Sequence, residues 1–173
     1  MIRIMIADDH TIVRRGLRQI LNDQRDMQVM VEAKSAVEVL PAVRGTALDV
    51  LILDISMPGR GGLEILAELK QERPQLPVLV LSMHSEDQYA LRALRLGAAG
   101  YLTKEAVPEE LVKAIRKIAA GGRYITSTLA EKLAVAVGSQ DGRPVHETLS
   151  EREYQAMQLI AAGKSLSEIA EEL

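Results

Sequence analysis

The sequence predicts an α/β chain in which a doubly wound, five-stranded parallel sheet fills the first 120 residues and a small, incomplete all-α unit follows. Three observations carry that prediction. Short β-rich runs alternate with longer stretches of helical spacing five times over. Several of those runs are too uniformly apolar to have a wet face. A Gly/Ser/Asp/Pro stretch at 138–147 then separates this pattern from two further helix starts.

The strands are expected at 2–7 (IRIMIA), 27–33 (MQVMVEA), 50–54 (VLILD), 78–82 (VLVLS) and 100–103 (GYLT). Helical spacing lies between and after them: Val13, Leu17, Ile20 and Leu21; Val37, Leu40 and Val43; Leu63, Leu66, Leu69 and Lys70; Tyr89, Ala93 and Leu96; Leu111, Ala114, Ile115 and Ile118. Ser35 is placed to cap the second helix, Gly97 to stop the fourth, Pro108 to open the fifth, and Gly121 and Gly122 to end it. A connecting helix is expected from Ser127 to Val137. Beyond the linker, Ser150 with Glu153 and Ser165 with Glu168 form two capping boxes, each starting a short helix. Two helices of that length enclose little core, so the unit reads as part of something larger.

Composition narrows the chemistry. With 173 residues, 47% hydrophobic and 26% charged, there is material for one full domain and a smaller unit. The absence of Cys excludes disulfides and thiolate metal sites and suits the cytoplasm. No run reads as a signal peptide or a membrane span. Net charge is −3, all of it in residues 143–173, where six glutamates face three basic residues, so neither part reads as a phosphate-binding surface.

In an open parallel sheet, ligands bind beyond the carboxyl ends of the strands. Asp8 and Asp9 follow the first strand, Asp54 ends the third, Ser82 the fourth, and Lys104 lies just past the fifth. Three carboxylates on one rim repel one another unless a cation neutralises them. Hard oxygen donors without thiolate suit Mg²⁺, which leaves positions open for phosphate oxygens, and a lysine is a point charge for the same anion. Asp54 is then a nucleophile able to take a phosphoryl group as an acyl phosphate.

The ordered set Asp8-Asp9, Asp54 followed by ISMPGRGG, Ser82, and Tyr101 before Lys104 resembles the receiver domain of two-component response regulators, a flavodoxin-like fold, over residues 1–120. The resemblance implies phosphorylation of Asp54 by a sensor histidine kinase. It implies Mg²⁺ ligated by Asp9, Asp54 and the Ser56 backbone carbonyl, with Asp8 acting indirectly. Lys104 would pair with the phosphoryl group, and Ser82 and Tyr101 would form a two-state switch. Many receivers carry proline after the lysine, where this chain has Glu105. LSEREYQAMQLIAAGKSLSEIAEEL resembles the start of the LuxR-type helix-turn-helix domain of the NarL/FixJ subgroup. The domains implied are a receiver at 1–120, a connecting helix and linker at 121–147, and the N-terminal part of a DNA-binding domain at 148–173, without its recognition helix. The implied function is a transcription regulator and not an enzyme, dimerising on phosphorylation. DNA would be a partner of the full-length parent but not, specifically, of this fragment.

Two rival readings use the same acids. A Mg²⁺-dependent phosphohydrolase with Asp54 as nucleophile needs a second acid to activate water, and the residue two beyond Asp54 is Ser56. A phosphorylation-independent interaction module has no use for a repulsive carboxylate cluster. Smaller features are read plainly: His10 as a solvent-facing residue at the first helix start, Arg14 and Arg15 as a solvated helix face, Asp8 alone as a helix cap. The glycines of MPGRGG read as a flexible turn that lets backbone approach the metal, since the P-loop spacing is absent.

Overall fold

The computed structural model describes residues 1–59, 61–83, 86–106, 108–127 and 129–131. The expected linker at 138–147 and both C-terminal capping boxes lie outside them. Five strands and five helices alternate as the periodicity predicts: β1 (Ile2–Ala7), α1 (Thr11–Asn22), β2 (Met27–Ala33), α2 (Ala36–Gly45), β3 (Val50–Leu53), α3 (Gly62–Glu72), β4 (Val78–Ser82), α4 (Glu86–Arg95), β5 (Gly100–Thr103) and α5 (Pro108–Ala119). The strands pair in parallel in the order β2-β1-β3-β4-β5. β3 stops one residue earlier than expected, which puts Asp54 just past the strand.

Alternation along each strand divides the core in two. Met5, Ala7, Leu51, Leu53, Val78 and Val80 face one way, against Ala36, Val39 and Val43 of α2, Leu63, Leu66 and Leu69 of α3, and Tyr89 and Ala93 of α4. Ile4, Ile6, Ile52, Leu79 and Leu81 face the other way, against Leu17 and Leu21 of α1 and Leu111, Ile115 and Ile118 of α5. Burying each such side chain contributes about 1.5–3 kcal/mol, and covering both faces explains why the strands read as unbroken apolar runs.

The helix ends are instructive. Gly97 has φ +99° and closes α4: its N–H donates to Leu94 O at 3.1 Å, and the Ala98 N–H donates to Ala93 O at 2.9 Å. That double bond is the αL stop expected of a glycine there. Ser35 does occupy the N-cap of α2, but its side chain makes no capping bond; the Glu38 carboxylate instead accepts the Lys34 N–H at 2.8 Å. Val37 is also 70% exposed and Val39 takes the core position, because the buried stripe of α2 runs through Ala36, Val39 and Val43. Ser127 and 129–131 are helical, with Thr126 Oγ1 accepting the Leu129 N–H at 3.2 Å; the rest of the expected connecting helix lies outside the described residues.

The chain leaves β1 for β2 on one side, then crosses to β3 on the other. A crevice therefore opens beyond the carboxyl ends of β1 and β3, where strand order reverses. Paired backbone bonds set what faces it. The Asp54 N–H donates to Ala7 O at 2.8 Å and the Asp8 N–H to Ala33 O at 3.2 Å, so the ladder carries both acids to the same level.

Candidate functional site: an acidic pocket at the crevice

Asp8 and Asp54 are each only 1% exposed, which is costly for carboxylates unless they are paired. Lys104 meets both. Its Nζ lies 2.5 Å from Asp54 Oδ2 and 2.8 Å from Asp8 Oδ2, and its own N–H donates to Ser82 O at 2.8 Å, which ties the loop after β5 to the end of β4. Asp54 Oδ1 accepts the Ser56 N–H at 2.8 Å, folding the chain sharply after β3. Ser56 Oγ in turn lies 3.5 Å from Ser82 Oγ. Asp9 stands at the mouth of the pocket, its side chain 26% exposed.

Every site residue expected from the sequence is therefore at this rim except Tyr101, one strand away. Its side chain is fully buried in the apolar cluster that includes Tyr89, Ala90 and Ala93 of α4. Asp8 does not cap α1 as a simple N-cap residue, because His10 holds that position; Asp8 Oδ1 accepts the His10 N–H at 2.7 Å. All described peptide bonds are trans, Lys104–Glu105 included.

Two residues read from sequence as bland belong to the site. Arg14 is buried, not part of a solvated helix face: its Nη1 donates to the backbone carbonyls of Asp8 (2.8 Å) and Asp9 (3.2 Å), and its Nε to Glu32 Oε2 (3.3 Å). Arg14 thus clamps the loop that carries both acids. Its placement follows from the i, i+3 step to Leu17, which puts both on the inward face of α1, a signal the apolar pattern alone passes over. His10 is 56% exposed at the start of α1, as expected, yet its Nδ1 turns inward, 2.9 Å from Asp9 Oδ1 and 3.3 Å from Asp8 Oδ1.

Of the glycines after Asp54, Gly59 has φ +95° as a turn glycine, but Gly62 acts differently from expectation. A Cβ at Gly62, the first residue of α3, would overlap Ile55 Cα and lie 2.9 Å from the Ile55 carbonyl oxygen. Gly62 lets α3 seat against the backbone just past Asp54, so its role is close packing of the chain on itself and not approach to a metal.

Electrostatics follows from a count of charges. Three carboxylates face one ammonium, an excess of two negative charges in a largely dry crevice. Desolvation raises the Asp54 pKa above the ordinary carboxylate value, against the lowering influence of Lys104 and the Ser56 N–H, and Asp8's charge pushes the same way. Burial works to lower the Lys104 pKa, but its bonds to Asp54 and Asp8 outweigh that and the net shift is upward. Both shifts say that the pocket holds positive charge tightly. One ligand atom from each of Asp8, Asp9, His10 and Asp54 falls within 4.8 Å of the others. Asp9 Oδ1 is buried and has no hydrogen-bond partner among the described residues, while Asp8 Oδ2 is held by the Lys104 ammonium. A divalent ion fits this donor set in both charge and unsatisfied oxygen.

Residues 4–116 match the response regulator receiver domain family. The chain is a response regulator. The whole of it aligns with response regulator UvrY of Escherichia coli, 37% identical over 174 residues and spanning 80% of that protein. A LuxR-family two-component response regulator from Aurantimonas is 36% identical, with a TM-score of 0.72 over 79% of this chain and 98% of that one. RcsB of Salmonella enterica, solved on promoter DNA in the presence of a beryllofluoride phosphomimetic, is 27% identical with a TM-score of 0.72 over 99% of this chain and 82% of that one. This response regulator thus belongs with the LuxR-type transcription regulators and not with enzymes. Its acid cluster is of the receiver type.

Proposed function

We propose that Asp54 accepts a phosphoryl group from a sensor histidine kinase and that the resulting change of state controls a transcriptional output. The observation that carries this reading is the buried Lys104 Nζ lying between Asp54 Oδ2 and Asp8 Oδ2 within a net-negative crevice. Asp54 Oδ2 attacks phosphorus, the bond to the phosphohistidine nitrogen breaks with its electron pair returning to the imidazole, and an acyl phosphate forms on Asp54. Lys104 then exchanges one carboxylate partner for the new phosphoryl oxygens. Asp9, Asp54 and the Ser56 carbonyl would hold Mg²⁺, with Asp8 one step removed. When bound, that ion supplies charge for the phosphoryl oxygens.

Ser82 and Tyr101 are proposed as the switch. Ser82 Oγ lies within reach of the Ser56 loop, and Tyr101 already fills the core beside α4, so a hydroxyl drawn toward Asp54 and a ring held inward belong to one arrangement. We assign the receiver to residues 1–120, the connecting helix and linker to 121–147, and the first part of a LuxR-type DNA-binding unit to 148–173. The receiver-family match over residues 4–116 supports the first of these bounds. The chain acts in the cytoplasm, dimerises when phosphorylated, and has DNA as the target of its output. RcsB, a relative, is known as two dimers bound to two parallel DNAs. Among the described residues no helix is long and apolar enough to cross a membrane.

Incubation with acetyl phosphate, with and without Mg²⁺, tests the reading by intact mass. A metal-dependent phosphoryl adduct is expected on the wild-type chain and none on Asp54→Asn. An adduct that survives the substitution would move the acceptor elsewhere.

A further inference from the structure

We infer that residues 123–131 form a seated strap on the edge of β5, with Leu129 as its plug, and that the state of Tyr101 sets how firmly this strap holds the start of the connecting helix on the receiver. The inference rests on the reading of Ser82 and Tyr101 as a switch and deepens it by naming the element that receives the change.

β5 lies at one edge of the sheet, where an outer row of backbone groups needs a partner. The strap runs along that edge. The Tyr124 N–H donates to Ala99 O at 2.8 Å, and Tyr124 pairs with Gly100 as a parallel bridge. Gly100 permits the approach: a Cβ there would lie 2.9 Å from the Tyr124 carbonyl oxygen and 3.1 Å from the Tyr124 Cβ. Successive side chains of an extended segment point to opposite faces. Tyr124 accordingly packs on the α5 side, its hydroxyl donating to Glu110 Oε1 at 3.0 Å and its ring 5.9 Å from Lys117 Nζ. Ile125 packs on the other side, in the cluster that holds α4.

Leu129 completes the seat. Ser127, Ala130 and Glu131 are exposed, yet Leu129 is fully buried, in the same apolar cluster as Tyr101 and as Tyr89, Ala90 and Ala93 of α4. Thr126 fixes the turn that delivers it: Oγ1 accepts the Leu129 N–H at 3.2 Å, and the Thr126 carbonyl accepts the Ala130 N–H at 2.9 Å.

The switch and the strap therefore meet at consecutive residues of β5. Gly100 carries the backbone of the strap, and Tyr101 shares a packed cluster with its plug. Such clusters hold discrete arrangements and do not deform smoothly. With the ring inward the cluster is filled and Leu129 is gripped; with the ring turned outward the seat is left under-packed. Phosphorylation, which favours the inward ring, tightens the strap. By linkage, a seated strap favours the phosphorylated arrangement by the same factor.

Hydrogen exchange of the whole chain, with and without Mg²⁺ and beryllofluoride, tests this. The mimic should slow exchange of the Tyr124, Leu129 and Ala130 amides about ten-fold. Leu129→Ala should remove most of that slowing and weaken beryllofluoride binding about five-fold, and Leu129→Met, which conserves volume, should restore both. Exchange within α5 reports that each variant remains folded. Unchanged or faster exchange of those amides in the wild-type chain, or mimic binding that Leu129→Ala leaves intact, overturns the inference. If the mimic still binds the wild-type chain in that case, the phosphoacceptor reading stands and only the relay falls. If the mimic does not bind at all, the phosphoacceptor reading falls and takes the relay with it.

Discussion

Single residues here matter through what they hold in place. Arg14 buries a guanidinium to satisfy two carbonyls and Glu32, so removing it strands three acceptors at once. Arg14→Met should cost about 3 kcal/mol in urea unfolding and should raise the Mg²⁺ concentration needed for half-maximal Asp54 labelling. Arg14→Lys, which keeps the charge but not the fork, should recover part of the stability and little of the metal response. An unchanged Mg²⁺ requirement in Arg14→Met would show that Arg14 supports the fold without positioning the acids. The sequence placed Asp8, Asp9, Asp54, Ser82 and Lys104 correctly at the rim, because each follows a strand whose period is plain. It misread Arg14, because the i, i+3 step to Leu17 that puts it on the inward face is passed over when only apolar residues are counted toward the buried stripe.

At the scale of elements, two contacts set the heights of the acids relative to each other. Arg3 and Asp49 join β1 to the entry of β3. Arg3 Nη2 lies 2.8 Å from Asp49 Oδ1, the Arg3 N–H donates to Asp49 Oδ2 at 2.8 Å, and the Asp49 N–H returns a bond to Arg3 O at 2.8 Å. The Arg3 side chain hydrogen bond is the main cause that lowers the Asp49 pKa from 3.8 to about 2. A lowered carboxylate pKa stabilises the fold above the ordinary value, and that contribution is lost as pH falls from about 4 through about 2. Asp49→Asn should therefore flatten the difference in urea midpoint between pH 5 and pH 2.5; equal slopes for both proteins would refute the linkage. The contribution is small, since both side chains are a third or more exposed. The second contact is Gly62 against Ile55. Gly62→Ala should push α3 off the loop after Asp54 and cost about 1–3 kcal/mol by thermal or urea unfolding, with Asp54 labelling slowed as well. A fully stable, normally labelled variant would show that this loop yields without consequence.

The molecule as a whole stores an unfavourable charge cluster at one end of a sheet covered on both faces. A ligand that relieves the excess negative charge should therefore stabilise the entire domain by mass action. With Mg²⁺ and beryllofluoride at about 100 times their combined dissociation constant, the gain should be about 2.7 kcal/mol, read as a rise in melting temperature. Asp54→Asn should show little of that rise, and an equal rise in the variant would mean that the mimic binds elsewhere.

What the sequence determined by itself was the order of strands and helices, the two-faced burial of the sheet, and which side chains end the strands. Those properties repeat over two or 3.6 residues and need no distant neighbour to be read. Tertiary structure alone decided that Arg14 is buried, that His10 aims at the acids, that Glu38 rather than Ser35 serves the start of α2, and that Gly62 must lack a side chain. The burial of Arg14 depends on strands and loops closing on one another, and the Gly62 contact on the chain folding back after Asp54, whereas the His10 and Glu38 contacts span four residues or fewer and turn on rotamer and backbone choices that residue type alone leaves open.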